Sequence, residues 1–294
     1  MKQIILGAIC LSLAASIWGG MYVVSKYVLD FIPPLTLVWL RFIIAFVVLY
    51  FILKIAEKKQ KKKVTIRKKD WLLFAWIGFI GYFISITCQF IGTKLSDAHT
   101  GSLVTSATPA FMVIFAAIIL KEKLTARRLL STIIATVGVI IVIGWEIEIG
   151  SYFIGTIILV GAAITWALLS IYVKIASAQF SSLVITTYAI FFSLFFITPF
   201  MLWELQSTSI EAVNTYVILG VLYLGIVSTA GAFFLWNKGL ELMDASIGSL
   251  FFFFQPIVGS LLGWLLLNET LNSNFFIGGI LIVCSVFITT FEKK

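Results

Sequence analysis

Residues 97–124, DAHTGSLVTSATPAFMVIFAAIILKEKL, return in altered form at 244–271 as DASIGSLFFFFQPIVGSLLGWLLLNETL. The spacing is 147 residues, half of the 294-residue chain. Asp97 and Ala98 align with Asp244 and Ala245, Gly101-Ser102-Leu103 with Gly248-Ser249-Leu250, Pro109 with Pro256, and Glu122 with Glu269. Gly78 and Gly92 find Gly225 and Gly239 at the same spacing; at 148, Gly7, Trp18 and Lys26 find Gly155, Trp166 and Lys174. Unrelated apolar helices share Leu and Ile by chance, but seldom Pro, Trp, Gly and terminal charges in one frame. We read the chain as one unit written twice, over 1–148 and 149–294. Each copy of the stretch holds about 20 apolar residues, the length of one membrane crossing at about 1.5 Å per residue. Among membrane proteins, duplication of this kind marks transporter folds.

Composition removes the soluble alternatives. The chain is 61% hydrophobic and 12% charged, against about 25% charged for soluble domains. A net charge of +8 would suggest nucleic acid in a soluble protein. Here the basic residues sit between apolar runs, so they report membrane orientation instead. Cys10, Cys88 and Cys284 lie inside apolar runs, with no disulfide or metal spacing, and read as reduced packing residues. The N-terminus has the look of a signal peptide, but its repeat partner at 151–174 is mid-chain, so it reads as a retained helix.

Ten apolar runs follow one another, at about 4–25, 35–54, 71–92, 98–120, 127–145, 153–174, 182–203, 214–236, 245–267 and 274–291. Lys58, Lys59, Lys61–Lys63, Arg67, Lys68 and Lys69 follow the second run; Lys121, Lys123, Arg127 and Arg128 follow the fourth. If each run crosses once, these lie on one side with Lys2, Lys174, Lys238, Lys293 and Lys294, and that side is the cytoplasm. Both termini are then cytoplasmic. Asp30, Glu146, Glu148, Glu204, Glu211 and Glu269 fall on the other side. Five spans per unit is an odd number, so the second unit enters from the opposite face. The expectation is an all-α polytopic membrane protein, ten transmembrane helices in two inverted five-helix repeats, with a substrate site near the midplane between them.

Ten runs in two five-run units, Trp18 and Trp166 early in the first run of each, and the pattern Asp-Ala…Pro…Glu-x-Leu together resemble the EamA-type transporters of the drug/metabolite transporter superfamily. The resemblance covers nearly the whole chain. It implies export or exchange of small metabolites, such as amino acids or related compounds, across a bacterial inner (cytoplasmic) membrane. It also implies a central cavity lined by the first, third and fourth spans of each unit, and an arginine of gating or structural role at the place of Arg41.

Read as residues, the same spans carry polar and aromatic groups on shared helical faces. Trp18 and Tyr22 share a face of span 1 with Ser25; Trp166 and Ser170 are the counterparts in span 6. Tyr82 and Gln89 share a face of span 3 with Ser85, and Trp236 answers Gln89 in span 8. Thr105 and Thr108 share a face of span 4, and Phe252 and Gln255 the matching face of span 9. Either these groups line a cavity for a substrate with an apolar body and polar handles, or they glue helices together. Pro109 and Pro256 each free a carbonyl one turn earlier, which kinks the helix toward a cavity or merely packs it. Gly259 and Gly263 form a small-xxx-small pair.

Arg41 is an intramembrane charge, hence a functional candidate by default; gating, structure and substrate contact are all open. Lys26 and Lys174 close their spans and snorkel to water. Glu122 and Glu269 read as caps of the next helix, and His99 as an interfacial polar residue or proton sensor. No Asp or Glu falls well inside a span, which favours passive or exchange-driven transport over built-in ion coupling. Nothing supports an enzyme: one His, no Walker motif, no Cys/His cluster. No cofactor or metal is expected. The expected partners are the lipid bilayer and a small-molecule substrate, not nucleic acid, in a monomer or homodimer. Two further readings stand beside a metabolite carrier. One is a drug or toxic-cation exporter, proton-coupled or not, using Trp18, Trp166 and Trp236 for cation–π contact; the other is a non-transporting membrane subunit.

Overall fold

A computed structural model describes residues 2–60, 65–96, 98–143, 150–211, 213–267 and 273–290. Asp97, Glu146, Glu148, Glu269 and Lys61–Lys63 lie outside the described residues, and His99 and Gly263 are described by backbone alone. Every regular element among the described residues is helical, as expected where the solvent offers the backbone no hydrogen bonds. The first repeat supplies α1 (Lys2–Val28), α2 (Pro34–Gln60), α3 (Lys68–Leu95), α4 (Ala98–Thr105), α5 (Thr108–Ile119) and α6 (Ala126–Ile143). The second supplies α7 (Ser151–Ala176), α8 (Ser182–Ser207), α9 (Thr215–Leu242), α10 (Ala245–Ser249), α11 (Phe254–Leu267) and α12 (Ser273–Thr290). Six of these, α1, α2, α3, α7, α8 and α9, are long and apolar enough to cross a membrane, and Thr108–Ile119 and Ala245–Gly259 are shorter apolar helices.

The two repeats fold alike. α3 and α9 each widen into a π-helical stretch at corresponding places, Gly78–Ser85 and Tyr223–Gly231. The proline-bearing helices break at corresponding places too. α4 ends at Thr105 and α5 opens at Thr108, with Pro109 in its first turn, where its missing N–H costs nothing. Between α10 and α11 the chain narrows to a 3₁₀ turn, Leu250–Phe253, just ahead of Pro256. Thr105's carbonyl, which Pro109 cannot serve, receives the Thr108 hydroxyl at 2.6 Å.

Contacts run in exchanged pairs. α1 packs on α9 as α7 packs on α3; α1 meets α11 as α7 meets α5; α2 pairs with its own counterpart α8, and α6 with α12. A two-fold relation between the repeats produces this pattern, with the self-pairing helices beside the axis. Glycines permit the closest approaches. Gly7 faces the Gly239 carbonyl and Gly155 the Gly92 carbonyl, the same contact made once in each direction. A Cβ at Gly19 would lie 2.6 Å from the Gln255 carbonyl oxygen and 2.8 Å from the Gly259 nitrogen.

Helix ends are served by partners from distant segments. Lys26 Nζ donates to the Ser96 carbonyl at 3.1 Å at the end of α3. Lys174 Nζ donates to the Leu240 and Met243 carbonyls at 2.8 and 2.7 Å at the end of α9. Both lysines therefore cap helix C-termini, rather than simply snorkelling to water. Glu204, at the end of α8, accepts the Leu35 and Thr36 N–H groups of α2 at 3.1 and 2.7 Å. Glu241 accepts the Ser182 N–H of α8 at 3.3 Å. Lys121 adopts φ 55 after α5, and the Glu122 N–H returns to the Ala116 carbonyl at 3.2 Å. That C-terminal turn presents the Glu122 carboxylate to α10, where it accepts the Ala245 and Ser246 N–H groups. Glu122 thus caps a helix of the other repeat, correcting the expectation of a local cap. Arg128 joins the cluster, 3.0 Å from Asp244 and 3.5 Å from Glu122.

Candidate functional site

The repeats meet on a pair of tryptophans. Trp18 of α1 and Trp166 of α7 are counterparts, and their ring centroids stand 5.1 Å apart, edge to face. Phe233 lies 5.9 Å from Trp18 and 5.2 Å from Trp166, and Phe252 is 5.6 Å from Trp18. A cavity of about 10 Å³ is bounded by Trp18, Met21, Ser85, Ile86, Gln89, Thr105, Thr108, Ala162, Trp166, Phe233, Phe252 and Gln255. That volume holds about one water molecule.

A polar network fills one wall. The Thr105 hydroxyl donates to the Gly101 carbonyl one turn back at 2.7 Å. Its oxygen therefore accepts from Tyr22 at 2.7 Å and from Gln255 Nε2 at 3.0 Å. With its one proton spent on Thr105, Tyr22 accepts from Gln89 Nε2. Gln255 Nε2 also donates to the Ser102 carbonyl at 3.3 Å, which fixes that amide's orientation as well. Both amide nitrogens thus point into the network, and Gln89 Oε1 and Gln255 Oε1 have no partner. Trp166 Nε1 has none either, whereas Trp18 Nε1 donates to the Ser228 carbonyl at 3.0 Å. Two acceptors and one donor without a partner thus belong to residues that bound the cavity. Among the described residues, no acidic or basic side chain bounds the cavity.

Of the residues singled out from sequence, Trp18, Ser85, Gln89, Thr105, Thr108, Trp166, Phe252 and Gln255 border the cavity. Tyr22, Ser170, Trp236 and Tyr82 stand one layer behind. Tyr22 holds the network. Ser170 accepts from Trp236 Nε1 at 3.1 Å, the counterpart of the Gln89–Tyr22 contact in the other repeat. Tyr82 stacks on Phe233 at 4.7 Å and accepts from Asn237 Nδ2 at 2.9 Å. Pro109 and Pro256 stand at the helix breaks that carry Thr105 and Gln255 to the cavity. The sequence reading missed Met21, Ile86, Ala162 and Phe233 as lining residues. Each lies three or four positions from a residue it named, so helical spacing alone carried the signal.

Arg41 is fully buried. Its Nε donates to Thr229 Oγ1 at 2.7 Å and its Nη2 to Ser228 Oγ at 3.3 Å, both on the π-helical stretch of α9. Its Nη1 faces the Met21 sulfur at 3.5 Å, and the guanidinium lies 4.9 Å from the Phe90 ring centroid.

Comparison with known proteins agrees with this layout. The uncharacterized transporter YetK of Bacillus subtilis (strain 168) is 28% identical over 290 residues, covering 97% of this chain and 87% of that protein. A protein of Escherichia coli (strain K12) named as a probable amino-acid metabolite efflux pump is 26% identical over 292 residues, covering 96% of this chain and 94% of that one. One crystal structure shares the fold at a TM-score of 0.77 and 20% identity, over 97% of this chain and 96% of the other. The model of the EamA-like transporter family matches residues 5–144 and again 153–291, one match per repeat. The chain, a multi-pass membrane transporter and not an enzyme, belongs to the EamA-like transporter family.

Proposed function

We propose that the chain is a carrier of ten membrane-spanning helices in two inverted five-helix repeats, with both termini in the cytoplasm of a bacterial cell, that moves small zwitterionic metabolites such as amino acids by alternating access. The observation that carries this reading is that Gln89 Oε1, Gln255 Oε1 and Trp166 Nε1, all unpaired, belong to residues that bound one cavity at the repeat interface. Two carbonyl oxygens suit an ammonium group, an indole N–H suits a carboxylate, and the surrounding rings suit an apolar side chain. The exchanged contacts supply the rest: two like repeats related by a two-fold have two equivalent arrangements, one open to each side. A cavity of about 10 Å³, against about 300–1,000 Å³ for ligand sites in general, makes this a closed arrangement that must open to load. The name of the Escherichia coli relative points to the same cargo class.

The test is efflux from proteoliposomes that hold the purified chain and a mixed load of amino acids and related metabolites, with no ion gradient. Selective loss of a few compounds relative to protein-free vesicles is expected. No loss in that format, nor after an imposed pH step, would overturn the carrier reading.

A further inference from the structure

Arg41 carries a charge for which the described protein offers no counter-ion. It is 0% exposed, and a guanidinium keeps its proton in such a setting. Its partners are two hydroxyls, a thioether and the faces of Phe90 and Phe233. No carboxylate among the described residues lies within ion-pair distance of it. An unpaired buried charge is costly, so its persistence asks what the charge acts on. Met21 and Phe233, which touch it, are themselves walls of the central cavity. Ser228, which accepts from Arg41 through its hydroxyl, accepts from Trp18 through its carbonyl. The charge is therefore fixed one side-chain layer behind the cavity, in a low-dielectric region, with no acid between.

We infer that Arg41 is the specificity-determining residue of this site: the missing counter-charge is the carboxylate of the substrate. The inference rests on the reading of the cavity as the substrate site and deepens it. Arg41 acts through its field, while Trp166 Nε1 is the group that touches the carboxylate. The carboxylate is then the obligatory handle and the ammonium a dispensable one. The box of Trp18, Trp166, Phe233 and Phe252 would by itself attract cations. With Arg41 behind it and no acid lining it, the site disfavours amines that lack a carboxylate, which argues against a toxic-cation exporter.

The test is ligand-induced thermal stabilisation and tryptophan-fluorescence change of the purified full chain in detergent. The probes are matched triplets: phenylalanine, 3-phenylpropionate and phenethylamine; leucine, 4-methylpentanoate and isoamylamine. At least one triplet is expected to show binding of the amino acid and the acid, with the amine at least ten-fold weaker. Arg41→Gln is expected to abolish that preference and Arg41→Lys to keep it. The wild-type comparison stands even if neither variant folds. An amine that binds as well as its acid, or no binding by any carboxylate probe, overturns the inference. Carboxylate binding without flux in proteoliposomes would instead sink the carrier reading and leave this one standing.

Discussion

Trp18 and Trp166 are 148 positions apart and meet at 5.1 Å with their rings 86° to each other. They occupy equivalent places in the two repeats, yet their indole N–H groups differ. Trp18 donates to the Ser228 carbonyl at 3.0 Å, and Trp166 donates to nothing. The symmetry of the fold is thus broken at its centre.

Trp166→Phe removes an unused donor and keeps a ring. It should leave stability near wild type and weaken substrate binding by about 5- to 30-fold, the equivalent of about 1–2 kcal/mol. Trp18→Phe removes a buried hydrogen bond to the Ser228 carbonyl and should cost about 1–3 kcal/mol of stability. Thermal unfolding and ligand titration on both variants check the contrast. Equal loss of stability in the two would show that Trp166 is a packing residue.

Gly19 and Gly161 make a matched pair for testing helix contact. A Cβ at Gly19 meets backbone atoms of α11 at 2.6 and 2.8 Å, which cannot yield without moving the helix, whereas a Cβ at Gly161 meets nothing within 4 Å. Gly19→Ala should cost about 1–3 kcal/mol and displace Gln255 from Thr105, lowering transport as well. Gly161→Ala should be neutral. Thermal melts and flux on the two proteins decide it, and a silent Gly19→Ala would mean that α1 and α11 do not pack this closely.

The buried carboxylate of Glu204 caps α2 through two backbone N–H groups and the Thr36 hydroxyl at 2.9 Å. Glu204→Ala should destabilise by about 1–2 kcal/mol, the scale of a lost N-cap. Glu204→Gln, which keeps one acceptor, should recover part of that. Chemical or thermal unfolding measures both; identical losses would indicate that charge, not hydrogen bonding, does the capping.

Cysteine accessibility tests the orientation. In a cysteine-free background, a cysteine at Glu211 should react with an impermeant maleimide in intact cells. One at Lys59 should react only after lysis. The reverse pattern would invert the topology.

The sequence carried the two-repeat, all-helical plan because duplication, span length and charge placement are local properties. It also named eight of the cavity's lining residues, since polar and aromatic groups at helical spacing in an apolar run stand out from their neighbours. It could not separate Trp18 and Gln255, which line, from Tyr82 and Trp236, which stand behind. All four have the same local signature, and only the rotation of each helix about its axis distinguishes them.

The chain's own order of residues determined that it is a duplicated membrane transporter with a fixed charge at Arg41 and proline breaks at Pro109 and Pro256. The tertiary structure decided what those features meet: that Arg41 faces hydroxyls and rings instead of an acid, that Glu122 caps α10 of the other repeat, and that one tryptophan N–H of an equivalent pair is left free. These contacts join residues about 100 to 200 positions apart. Their partners are set by how helices cross, tilt and turn against one another, and close packing fixes that geometry only once both repeats are in place.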